Sequence, residues 1–85
     1  MTTRRVADPM IVTQIKDEVR RLRREGQVPI ELRLDQTRWN AVSPDMRQGP
    51  WGGRTTTLFD GLPCALSIGV KDPRGFLVRT VQPKG

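Results

Sequence analysis

The 85-residue chain contains no histidine and a single cysteine, and it has no run of apolar residues long enough to cross a membrane. Without histidine, the commonest general base, the usual partner of a nucleophile and the commonest metal ligand are all missing. This argues against hydrolase and zinc readings and for a chain that is not an enzyme, with no cofactor and no metal. Cys64 cannot form an internal disulfide, which agrees with a reducing compartment, and its apolar surroundings mark it as a buried structural thiol. The first sixteen residues have a basic pair but no apolar stretch of signal-peptide length before Lys16, so the chain is expected to be soluble and not secreted. Gly49, Gly52 and Gly53 match no phosphate-binding spacing, and no Gly-Lys-Ser/Thr follows them.

Apolar residues make up 35% of the chain, and a chain of this length supports one small core. A single domain over 1–85 is therefore expected. Without disulfides or a metal, such a domain often draws part of its stability from a partner or from oligomerisation. The net charge of +6 favours an acidic partner. Twelve of the fifteen basic residues are arginine, which suits bidentate contacts to carboxylate or phosphate and also protein interfaces.

DPMIVTQIKDEVRRLRREG has the marks of a helix over 9–25. Asp8 is placed as N-cap, Pro9 at the first helical position and Gly26 as the left-handed stop. Ile11, Ile15, Val19 and Leu22 form one apolar stripe with Val12 at its edge, and Asp17 is spaced to pair with Arg21. Ile30, Leu32 and Leu34 alternate with Glu31 and Arg33, predicting a half-buried strand over 29–34. Asp35 then caps a short helix over 36–43 that turns Trp39 and Val42 the same way. Residues 44–54, with two prolines and three glycines, are expected to be a loop. Strands follow over 55–59 and 62–70, turning at Asp60-Gly61, and a type I turn at Asp72-Pro73-Arg74-Gly75 leads into a strand over 76–81. Leu66 and Ile68 are expected to face inward with Phe76 and Val78. The fold class is α+β: an N-terminal amphipathic helix packed on a small, mainly antiparallel sheet, with a short second helix and a C-terminal β-meander. Only the QPKG tail reads as loose.

Asp8, Asp35, Asp60 and Asp72 each have a structural task as cap or turn residue, which leaves no obvious carboxylate pair for acid–base work. Two binding candidates remain. Lys16, Arg20, Arg23 and Arg24 form a basic flank on the first helix, either a surface that tracks phosphates or an acidic partner, or a solvated face. Trp51, held by glycines and flanked by Arg47 and Arg54, either anchors a contact to a partner or folds back to seal the core. One aromatic without a second interleaved suits a protein interface better than nucleic acid.

IELRLDQTRWNAV, then a glycine-rich loop, then TLFDGLPCALSIGV and GFLVRT, follow an order that resembles a segment of the tailed-phage major capsid protein family. Leu34, Trp39, Leu58, Phe59, Gly61, Leu62, Pro63 and Gly75 occupy comparable places over about residues 30–80. Asp60 stands within the family's Phe-Gly step, and Cys64 stands where valine is usual. An 85-residue chain does not hold the long spine helix, extended loop and N-terminal arm of a shell-forming subunit. The resemblance therefore implies a small phage or prophage accessory protein, located in the virion or host cytoplasm and bound to a capsid, tail or host protein. The alternative is a small nucleic-acid-binding or host-regulating protein that uses the basic flank.

Overall fold

The computed structural model describes residues 6–82 and has an α+β fold. Helix α1 (Pro9–Arg24) begins where the Asp8 carboxylate accepts a hydrogen bond from the Met10 N–H at 3.0 Å. It ends as the glycine predicts. Gly26, at φ 83°, lets its own N–H reach the Arg23 carbonyl and the Gln27 N–H reach the Leu22 carbonyl, each at 3.0 Å, so carbonyls left over at the helix end are satisfied. Ile15, Val19 and Leu22 are buried, with Ile11 and Val12 packed beside them. Asp17 pairs with Arg20 rather than with the expected Arg21, which is drawn instead to Glu18 and Glu25.

Strand β1 (Val28–Leu34) follows directly and buries Leu32 and Leu34 against the helix. Its register shifts between Pro29 and Glu31, so Pro29 is buried while Ile30 is only half-buried, one step off the simple alternation. Helix α2 (Gln36–Val42) is capped by Asp35, whose carboxylate accepts from the Arg38 N–H at 2.8 Å. Val42 enters the core with Trp39 packed on it, and a 3-10 turn over Ser43–Asp45 takes up the last position expected of the helix.

The expected loop over 44–54 is largely a strand. β2 (Arg47–Trp51) pairs antiparallel with β3 (Arg54–Phe59) through Gly52 and Gly53, at φ 59° and 80°. Two consecutive residues at positive φ make the turn whose twist matches a hairpin. β3 turns at Asp60 (φ 52°) and Gly61 (φ 80°) into β4 (Leu62–Leu66), as the sequence predicts. β4 stops at Leu66, four residues short of expectation, because Gly69, at φ 83°, and the Asp72–Gly75 turn bend the chain away.

β5 (Phe76–Val81) then crosses to the far edge. The strand order is β2-β3-β4-β1-β5, with β1 parallel to β4 and antiparallel to β5. The meander therefore covers β2 to β4, and β5 does not continue it. Phe76 and Val78 are buried as expected, but Leu66 is half exposed and Ile68 fully exposed. They lie past the reach of α1, at the rim and in the loop beyond it.

Arg74 ties this loop down. Its guanidinium donates to Asp72 at 2.7 and 2.9 Å and to Glu18 of α1 at 2.7 Å, and it stacks 4.7 Å from the centre of the Phe76 ring.

A candidate interaction arm and a basic flank

β3 is paired on both sides only at Leu58 and Phe59, so Arg47 to Thr57 form a two-stranded ribbon standing off the sheet. The molecule is accordingly elongated, 54 × 32 × 24 Å. Register pairs place Arg47 with Leu58, Gly49 with Thr56, and Trp51 with Arg54 on one face of this arm. Leu58 lies across Gly49, where an added Cβ would sit 2.9 Å from Leu58 Cδ1. The other face is polar: Gln48 donates to the Thr57 hydroxyl at 2.7 Å. Pro50 sits opposite Thr55 on an edge strand, where a missing N–H interrupts no ladder.

Trp51 is 42% exposed at the tip, so it anchors nothing in the core. The arm thus brings together Trp51 and Arg54 and sets Arg47 at its base on the same face. Through Leu58 and its partner Pro63 that face continues onto the side of the sheet opposite α1. There Arg33 lies between Ala65 and Leu77, and Glu31 accepts from Arg33 at 2.7 Å and from Arg79 at 3.4 Å. These two arginines hold the Glu31 carboxyl below its ordinary range, Arg33 contributing most. Alternation along β1 marks this second arginine-bearing face, but its continuity with the arm is not visible in the sequence, because it depends on strand order.

The second candidate set lies on α1. Lys16, Arg20 and Arg23 line a concavity of about 290 Å³ together with Val19 and the Asp60 turn, and Arg24 stands beside them, exposed. The two sets are on different elements and form no single site.

Cys64, expected to be buried, is only half-buried, packing against the edge of the core from β4. Its burial pushes the thiol up to about 11, so it carries no thiolate at neutral pH, and its Sγ lies 3.6 Å from the Leu62 carbonyl. A wider concavity of about 490 Å³ beside β5 holds Ser67, Asp72 and Lys71. Asp72 there is bound to Arg74, which lowers its carboxyl to about 2. Among the described residues, no three metal-ligating side chains gather. No family model matches the chain, and neither a curated protein nor a solved structure is significantly similar to it.

Proposed function

We propose that the chain is a non-enzymatic phage or prophage accessory protein, a minor virion or assembly component, that binds another protein through the β2–β3 arm. The observation that carries this reading is the arm itself, a ribbon that contributes almost nothing to the core yet holds a half-exposed tryptophan. Burying an aromatic of that size in a partner releases its apolar surface from water, and an arginine beside it adds directed hydrogen bonds; this is the composition of interface hot spots. Arg47, Trp51 and Arg54 are the contact residues, with Trp51 as the anchor. The phage assignment rests on the order of motifs from Ile30 to Thr80. The non-enzymatic reading rests on the missing histidine, the un-ionised Cys64 and carboxylates occupied as caps, turns and ion pairs.

The experiment is photo-cross-linking in cells that produce phage particles. A photoreactive phenylalanine at position 51 is expected to capture a discrete protein, whereas the same group at Lys71, in the loop between β4 and β5, is not. Equal capture at both positions, or none at 51, contradicts the reading.

A further inference from the structure

The charges of α1 are sorted around its circumference. At 100° per residue, Lys16, Arg20, Arg23 and Arg24 occupy roughly 100° immediately beside the buried stripe. Glu18, Arg21 and Glu25 lie on the opposite side and pair with one another. Arg21, Arg33, Arg38, Arg74 and Arg79 all have carboxylate partners. Among the described residues no ion pair is formed by Lys16, Arg23 or Arg24, and Arg20 has one long contact to Asp17 at 3.5 Å. Of the other described cations, Arg47 and Arg54 on the arm and Lys71 in the β4–β5 loop also lack an ion pair, but it is on this flank that Lys16, Arg23 and Arg24 are grouped with the weakly held Arg20.

Three of them line a concavity, and its remaining walls decide what could fill it. The flank has no exposed apolar centre. Among the described residues the exposed large apolar side chains are Val6, Met10, Val28, Trp51, Leu66, Ile68, Leu77 and Val81, and none belongs to this flank. Val19, the one apolar lining residue, is 1% exposed. A protein interface of useful affinity needs a desolvated apolar core; a polyanion backbone needs only positive charge at regular spacing. From Lys16 to Arg24 the row extends about 12 Å along the helix axis, enough for several successive phosphates. We infer that this flank binds the phosphodiester backbone of a nucleic acid, independently of sequence, on a surface separate from the arm. Asp60 and Asp17 are the carboxylates at its edge and oppose the binding.

The test uses the full chain with fluorescent 20-nucleotide probes of single-stranded DNA, single-stranded RNA and duplex DNA, with poly-glutamate as the acidic polypeptide control. Four contacts predict a loss of affinity of roughly 50- to 150-fold between 50 and 200 mM salt. Arg23→Gln, at an exposed position, makes the log–log salt slope shallower by about one, while Lys71→Glu leaves it unchanged. Asp60→Asn keeps a residue that tolerates positive φ and tightens binding, an effect that a damaged fold cannot produce. The probes that respond distinguish DNA from RNA as the source of the backbone. No binding at 20 mM salt, tighter binding to poly-glutamate than to every oligonucleotide, or no response to either Arg23→Gln or Asp60→Asn overturns the inference.

Discussion

Trp51 and Arg54 are register partners at the last pair of the β2–β3 ribbon, facing each other across the Gly52-Gly53 turn. Their side chains share a face because directly opposite residues in an antiparallel pair do, and the turn keeps them at the tip of the arm. An indole and a guanidinium placed so far from the core can contribute little to folding. Their arrangement makes sense as a contact.

The turn should govern that contact. Gly53→Val places a β-branched residue at φ 80°, a conformation such residues rarely adopt. Since nothing packs against Gly53, the strain falls on the arm alone. Partner binding is expected to weaken while the melting temperature changes by less than about 3 °C, measured by circular dichroism. A large drop in melting temperature would mean that the arm supports the core.

Gly75→Ala should behave in the opposite way. Gly75 is buried at φ 78°, and an added Cβ would lie 2.6 Å from both Asp35 Oδ2, of the carboxylate that caps α2, and Nε of Arg38, whose guanidinium pairs with that carboxylate. Strain and loss of the cap together are expected to cost about 2–4 kcal/mol in denaturant unfolding.

Core and rim can be separated by a pair of substitutions. Phe76→Ala empties a fully buried position and should cost about 3–5 kcal/mol, a large share of what so small a domain has. Ile68→Ser, at a fully exposed loop position, should change stability by less than about 0.5 kcal/mol. A comparable loss at Ile68 would show that it packs in solution.

Acid should destabilise the fold in a defined window. Glu18, Glu31 and Asp72 all have carboxyls lowered by arginine neighbours, Asp72 to about 2 by Arg74. A carboxylate whose folded value lies below its unfolded one stabilises the fold above the unfolded value, and that gain disappears as pH falls through the folded value. With no histidine to titrate, the melting temperature should be flat from pH 7 to 5 and fall between about pH 4.5 and 2. Asp72→Asn should reduce the fall. A melting temperature unchanged down to pH 2 would contradict these ion pairs.

The helices and the turns were legible in the sequence because their signals are local. Asp8, Gly26, Asp35 and Asp60-Gly61 each satisfy or redirect backbone groups within a few residues, and all act where expected. β2 was hidden because Gly49 and Pro50 read as breakers; on an outer strand of a ribbon neither interrupts a ladder. Alternation assigns residues to a face but not strands to neighbours, so the parallel β1–β4 pair and the passage of β5 to the far edge could not be read. The inward placement of Leu66 and Ile68 failed for the same reason: apolar character says nothing about where the covering helix stops. Trp51 was legible as a candidate, and its exposure became clear only once the glycines around it proved to be a hairpin turn.

The most direct test of the central claim is Trp51→Ala, measured for both partner affinity and thermal stability. The account predicts roughly 30-fold weaker binding to the protein captured by the arm, the scale of a hot-spot residue, with the melting temperature within about 2 °C of the parent. Unchanged affinity, or a fold that melts well below the parent, would contradict it.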